Sequence, residues 1–299
     1  MTQIAMFKMR KYGHWYFLGG LAFAALFIWS AVFRVEAHRG RTFLHVFDVG
    51  QGDAIFIAAP NGTQVLIDGG PDAAVLRGLG GAMPFWDRSL DLVILTHPHA
   101  DHLDGLIEVL RRYRVGMVLE SGVNHSIPEY DLWHAELRER GVPVIVAERG
   151  EAVRLAEDLT LTVLAPAHSF AGTSPRNIHD AAIVLMLRHA SSTALLMADA
   201  EAPLERELLA AGGNIAAELV KIGHHGSRTS TLEGFLVAVK PRVAVISAGR
   251  RNRYGHPVQE VLDRLAAFGI ATYRTDRDGT VTFVSDGREF RLAETGIRR

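Results

Sequence analysis

The chain of 299 residues contains no cysteine. That absence excludes disulfides, thiolate metal ligands and cysteine nucleophiles, so any metal must be held by nitrogen and oxygen. A surplus of positive charge is also missing: residues 38–299 hold 28 Lys and Arg against 32 Asp and Glu, a formal net charge of −4. A broad nucleic-acid surface is thereby excluded, and a polyanionic substrate requires a local positive groove. The sequence shows no short-period repeat and no low-complexity segment. The 48% hydrophobic content is that of a globular protein, and the length suits one main domain of about 250 residues with an appendage.

The appendage is the one long apolar run, "WYFLGGLAFAALFIWSAVF" from Trp15 to Phe33, which covers 19 residues without a charge. It predicts an N-terminal transmembrane helix over 15–33, with residues 1–37 as a membrane anchor and 38–299 as the main domain. A cleaved signal peptide ending near "VEA" is the alternative, although signal cores are usually only about 7 to 15 residues long. Lys8, Arg10 and Lys11 before the run favour a cytoplasmic N-terminus, while Arg34, Arg39 and Arg41 after it weaken that bias. The expectation is single-pass attachment to the cytoplasmic membrane with an extracytoplasmic body.

Beyond "EAHRGRT", the runs "TFLHVFD", "AIFIAAP" and "TQVLIDGG" are separated by Gly-rich or Asn-Gly turns and predict an antiparallel meander. Strand and helix patterns then alternate, as in "LDLVIL" before "LDGLIEVLRRY" and "VGMVLE" before "YDLWHAELRER". A second set runs from "LTLTVLAP" to "ATYRT", and "GTVTFVSDGREFRL" closes the chain as a hairpin. Strands followed by helices, twice over, predict an α/β (α+β) fold of two packed sheets with helices outside.

The densest chemistry lies in "LTHPHADHLDG", residues 95–105, at the end of an apolar strand. His97 and His99, two apart, can point the same way while Asp101 and His102 reach a second point as a helix begins. Four potential ligands in six residues at a strand-to-helix junction are poorly explained as a solvated turn.

The string "HPHADH" resembles the H-x-H-x-D-H signature of the metallo-β-lactamase superfamily, which implies a four-layer αββα sandwich with a dinuclear metal site along one edge. The motifs "DVGQGDAIFI", "VLIDGG", "LMADAE", "LVKIGHHGSRTS", "ISAGRRNRYGHP" and "YRTDRDGTVTF" occur in the order found in the hydrolase domain of ComEC-type DNA-uptake proteins, and the similarity spans about residues 43–284. Turn formation by itself explains Asp53 and Asp68, which sit beside glycines; the resemblance adds support behind the metal ligands, with Asp68 buttressing the histidine loop. Asp199 follows a fully apolar strand, where an ionised carboxylate is costly unless paired or metal-bound. The resemblance makes it the bridge between both metals, and capping of the next helix is the plainer alternative.

In "LVKIGHHGS", adjacent side chains on an extended segment diverge, so His224 and His225 serve different ends. His224 is expected as a metal ligand and His225 as a substrate-phosphate or proton-transfer residue, and the two assignments are exchangeable. The third ligand of the first metal is less plain. His179 in "NIHDAAIVL" fits the slot, where the ComEC-type pattern has an Asn-rich turn followed by serine, and His168 in "APAHSF" is its rival. His125 in "SGVNHS" either lines the mouth or is a solvated loop residue. In "GRRNRYGHP" an arginine cluster can hold phosphate oxygens while His256 stabilises charge on a scissile phosphate.

The expected metal set is therefore His97, His99, Asp101, His102, His179, Asp199 and His224. The catalytic set is Asp101, His225 and His256, and the substrate set is Arg250, Arg251, Asn252, Arg253, Tyr254 and Ser227. Two divalent ions are implied, Zn2+ as first choice for a His-rich set and Mn2+ second because carboxylates share it. Together these describe a membrane-anchored, dinuclear metal-dependent hydrolase, a phosphodiesterase or nuclease acting on DNA, preferentially single-stranded. Without the polytopic channel domain of that family, the expectation is that the chain acts alone or beside a separate DNA-uptake permease. The alternatives are hydrolysis of a smaller phosphoester, such as phosphocholine on cell-wall polymers, and a non-catalytic nucleic-acid-binding protein on this fold. The intact ligand set argues against the last.

Overall fold

The computed structural model describes residues 3–38 and 40–293, with side chains described only for 12–29 in the first helix. The chain forms two compact units, residues 1–41 and 42–299. In the first, α1 runs from Gln3 to His38. The expected membrane span is not borne out, because no helix among the described residues is long and apolar enough to cross a membrane. Between residues 12 and 29, Gly13, Gly19, Gly20, His14 and the amphipathic rings of Tyr12, Trp15, Tyr16 and Trp29 dilute the run. Only Phe17, Leu18 and residues 21–28 are strongly apolar, half of the roughly 20 that a span requires. Freedom from charge was the signal, and hydropathy is the property that matters. Ser30 to Phe33, the end of the expected span, lie outside the residues whose side chains are described. The expectation of single-pass attachment to the cytoplasmic membrane is corrected with it.

The second unit is a two-sheet sandwich. Its first sheet takes β1 (Thr42–Val46), β2 (Ile55–Ala58), β3 (Gln64–Ile67), β4 (Ser89–Leu95), β5 (Arg114–Glu120) and β6 (Val144–Val146). The second takes β7 (Ala152–Arg154), β8 (Leu159–Ala165), β9 (Val184–His189), β10 (Ser192–Leu196), β11 (Leu219–Lys221), β12 (Val243–Ile246) and β13 (Ala271–Arg274). The chain then returns through β14 (Val281–Ser285) and β15 (Phe290–Leu292) to the first sheet, where β14 pairs antiparallel with β1. The strand orders are β15-β14-β1-β2-β3-β4-β5-β6 and β13-β12-β11-β10-β9-β8-β7.

Burial follows the layering. Leu44, Val46, Ile55 and Ile57 meet Leu161, Val163, Leu185 and Leu196 between the sheets. Outside the first sheet, Phe56, Leu66 and Val93 pack on α2 (Ala74–Ala82), α3 (Ala100–Arg112) and α4 (Pro128–Arg140). Outside the second, Leu195, Val220 and Ile246 pack on α5 (Ala202–Ala210), α6 (Glu233–Val239) and α7 (Gln259–Ala267). A short α8 (Thr275–Asp278) precedes β14. β1, β8 and β14 alternate buried and half-buried side chains, whereas β10 is buried at every position because both its faces are covered.

Parallel pairing places the site. β3, β4 and β5 run parallel in the first sheet, as do β10, β11 and β12 in the second. The loops leaving their C-terminal ends therefore open on a shared edge, where open α/β sheets usually hold ligands.

Candidate metal centre

Each motif of the sequence leaves one of those strand ends. β4 delivers Thr96 and His97, and His99 occupies the N-cap of α3, so Asp101 and His102 lie in its first turn. Asp101 is favoured there by the positive end of the helix dipole. α3 itself forms because Leu103, Leu106, Ile107 and Leu110 recur at helical spacing and bury one face against the sheet.

Asp68, just after β3, sits in the left-handed region at φ 59° and is buried. One of its carboxylate oxygens accepts the Thr96 backbone N–H at 2.8 Å, and the other lies 2.7 Å from Thr96 Oγ1 and 2.8 Å from His102 Nδ1. With Nδ1 engaged, His102 turns Nε2 toward Asp199 Oδ2, 3.3 Å away. Asp199 stands where β10 has ended and the chain kinks through Ala198 at φ 47°.

Two groups of donors meet at Asp199. His97, His99, His179 and Asp199 form one, and Asp101, His102, Asp199 and His225 the other, with the donor atoms of each within 4.8 Å of one another. In the first, His99 Nδ1 lies 3.2 Å from both His97 Nε2 and His179 Nε2. In the second, His225 Nε2 lies 3.3 Å from Asp101 Oδ2 and 3.4 Å from Asp199 Oδ1. The buried atoms His102 Nε2, Asp199 Oδ1 and His225 Nε2 have no hydrogen-bond partner among the described residues, and all three belong to the second group. Unpaired buried polar atoms are costly, so this grouping fits a divalent cation, and the nitrogen and oxygen donors suit one of borderline hardness.

The electrostatics differ between the groups. Burial, with His102 nearby, drives His97 well below the ordinary imidazole range, and burial with His179 takes His99 to about 4. Burial alone would also lower His102 and His225, yet Asp199, joined by Asp68 at His102 and Asp53 at His225, raises both well above that range. Burial opposes ionisation of Asp199 as well, but His225 and His102 hold its carboxyl well below the carboxylate range.

The other expected residues divide. His179, in a turn over Ile178–Ala181, joins the first group, whereas His168 stacks on Phe170 and takes no part in either. His225, rather than His224, joins Asp101, His102 and Asp199; His224 Nε2 stays 3.9 Å from Asp199. His224 instead lines the open pocket with Gln51, His99, Asp101, His179, Asp199, His225, Tyr254 and His256, a cavity of about 140 Å³. Arg250, Arg251 and Arg253 are exposed and do not line it: Arg250 Nε donates to the Asp276 carbonyl, and Arg253 lies over the Tyr254 ring at 5.1 Å. Asn252 serves its own loop, donating to the carbonyls of Gly249 and His256 and accepting the His256 backbone N–H. Ser227 is buried with its hydroxyl 3.0 Å from Thr229 Oγ1. His125 is half-buried, its ring 6.2 Å from that of His99.

Glu201 escaped the sequence reading although it lies two residues past Asp199. Its Oε1 is 3.1 Å from His224 Nδ1 and 3.5 Å from His179 Nδ1, and Thr229 and Asn177 donate to its two oxygens at 2.7 Å each. His179, Glu201 and His224 form a further group of close donors.

A family model described as a beta-lactamase superfamily domain matches residues 63–227, more than half of the chain. The chain belongs to the beta-lactamase superfamily. Two of its homologues carry competence names. "ComE operon protein 3" of Bacillus subtilis is 32% identical over 255 residues, covering 80% of this chain and 32% of the relative. "Competence protein ComA" of Neisseria gonorrhoeae is 30% identical over 242 residues, covering 80% and 31%. The chain thus spans about a third of the length of these curated relatives. Among solved structures, the metallo-beta-lactamase fold protein YhfI from Bacillus subtilis superposes with a TM-score of 0.54 at 13% identity, over 82% of this chain and 99% of that one. At that identity the likeness shows the superfamily fold alone.

Proposed function

We propose that this superfamily member is a dinuclear metal-dependent phosphodiesterase acting on DNA. The observation that carries the reading is the pair of donor groups sharing Asp199 at the mouth of an open pocket. His97, His99, His179 and Asp199 hold one divalent ion, and Asp101, His102, Asp199 and His225 hold the other. When bound, two such ions generate a nucleophile from water near neutral pH and offset charge on phosphoryl oxygens.

The chain's own residues do the rest. Asp68 locks the ring of His102 so that Nε2 faces inward. His224, held at Nδ1 by Glu201, and His256, with Nδ1 buried and unpartnered, stand on the pocket wall outside both donor groups. They are placed to meet the phosphate and its leaving oxygen. Donors of both groups line this open pocket of about 140 Å³. A polymer reaching these donors would lie across the mouth, where the exposed Arg251 and the Tyr254-stacked Arg253 offer charge. The competence names of the homologues favour DNA as that polymer.

Zinc suits the three-imidazole group best and manganese is the second choice, because Asp101 and Asp199 supply oxygen to the other. A separate DNA-uptake permease is the partner proposed with this activity. The test is turnover of the metal-replete chain on single-stranded DNA, duplex DNA, bis-p-nitrophenyl phosphate and phosphocholine esters. Cleavage of DNA, fastest when single-stranded, is expected. Turnover of phosphocholine esters without any DNA cleavage would reject the reading.

A further inference from the structure

A lysine is buried directly beneath the site. Lys221 ends β11 with no exposed surface, after the apolar Leu219 and Val220. Its ammonium pairs with Asp53 and donates to the Ala198 carbonyl at 2.9 Å. Asp53 lies in the loop between β1 and β2 of the first sheet, and Lys221 belongs to the second, so the pair ties the two sheets together. On its other side, Asp53 Oδ1 lies 3.4 Å from His225 Nδ1, which also faces the Ser247 carbonyl at 2.9 Å. Ala198, at φ 47°, adopts a conformation that L side chains rarely take. Its carbonyl accepts both Lys221 and the His224 backbone N–H, the latter at 3.1 Å. His225 beside Asp53, and Asp199 beside Ala198, thus both depend on one ammonium.

An ion pair buried in a core seldom stabilises more than apolar residues of the same volume would. A methionine could fill the space of Lys221, so the charge is retained for something other than packing. We propose that Lys221 is a positioning residue for the second donor group. Through Asp53 it fixes the ring of His225, and through the Ala198 carbonyl it fixes the kink that presents Asp199. The inference rests on the metal-site reading given above. His97, His99 and His179 are held by β4, the start of α3 and the 178–181 turn, so three of the first group's four donors stay in place when Lys221 is changed, whereas the second group loses the hold on both His225 and Asp199.

Zinc titrated into Lys221→Met against a chromophoric chelator reads the two stepwise affinities, and thermal unfolding of the metal-free chain reads packing. One affinity is expected to fall about 10- to 100-fold, as for residues behind metal ligands, and the other to fall less, while the metal-free Tm of this single variant drops because Asp53 is left buried without its partner. Should the single variant fail to fold, Asp53→Asn/Lys221→Met removes the pair as a unit and is expected to show the same selective loss. Two unchanged affinities overturn the proposal, as does an equal loss of both. An unsubstituted chain that takes up fewer than two zinc ions overturns the metal-site reading itself, and this inference with it.

Discussion

At the scale of single residues, Asp199 is the point on which both donor groups depend. Asp199→Ala is expected to lower bound metal at both groups, because a bridging carboxylate touches both ions. Elemental analysis of the dialysed protein checks this, and unchanged metal content would return Asp199 to a structural role at the start of α5. Acid should act unequally. Burial holds His97 well below the ordinary imidazole range and takes His99 to about 4, so both remain ready donors in mild acid. His102 and His225, raised by Asp199, carry protons that an incoming ion must displace, so affinity at the second group falls as pH falls while the first persists. Zinc calorimetry at about pH 8 and about pH 6, in buffers of different ionisation heat, should show proton release with only one of the two ions. Equal pH dependence of both would count against the assignment. The cluster from His97 to His102 was legible because its ligands fall within six residues. Which of His224 and His225 joins Asp101 and His102 was left open, because neighbours in sequence carry no local signal for it; in the tight turn where they sit, at φ 45° and 54°, only His225 joins that group. Glu201 and Lys221 were invisible for another reason, since their partners Asn177, Thr229 and Asp53 are remote in sequence and only folding brings them near.

At the scale of elements, the start of α3 holds Asp101 and His102 only because the helix approaches the Asp68 loop very closely. A Cβ on Gly105 would stand 1.9 Å from the Gly69 carbonyl oxygen and 2.6 Å from that of Asp72, both backbone atoms that cannot swing away. Gly105→Ala is therefore expected to destabilise by about 1–3 kcal/mol, the range of overpacked cores, and to weaken metal binding as the helix shifts. Gly80→Ala in α2, where an added Cβ meets nothing within 4 Å, should be neutral or gain up to about 1 kcal/mol from helix propensity. Urea unfolding of the two metal-free variants makes the comparison, and equal stabilities would mean that the loop yields. Periodicity made the meander, the strand-helix alternation and the closing hairpin legible, since each is a local pattern of two or 3.6 residues. The pairing of β14 with β1 was not, because it joins Thr282 to His45 and no local pattern encodes such a contact. The run from Trp15 is local as well, but among its described residues, 15–29, the glycines and amphipathic rings leave no stretch long and apolar enough to cross a membrane.

At the scale of the whole molecule, residues 38–299 carry a net charge of −4, so a DNA strand is repelled except where positive charge is concentrated. The loop from Arg250 to His256 is such a place, since it carries three arginines and its far end, Tyr254 and His256, lines the pocket. The three are not equivalent. Arg250 is tied to the Asp276 carbonyl, while the exposed Arg251 and the Tyr254-stacked Arg253 project from the rim. Contacts at the rim add affinity through charge but touch neither the metals nor the reacting phosphate, so their loss should be felt by a polymer and not by a small phosphodiester. Arg251→Ala and Arg253→Ala are each expected to weaken single-stranded DNA binding and to flatten its dependence on salt by about 0.7 in the log–log slope, the share of one phosphate contact on a single strand. Turnover of bis-p-nitrophenyl phosphate should stay unchanged in both. The deciding measurement is the ratio of DNA to bis-p-nitrophenyl phosphate turnover at two salt concentrations. If either substitution lowers both substrates equally at both concentrations, that arginine acts on the reacting centre and no polymer track runs over it.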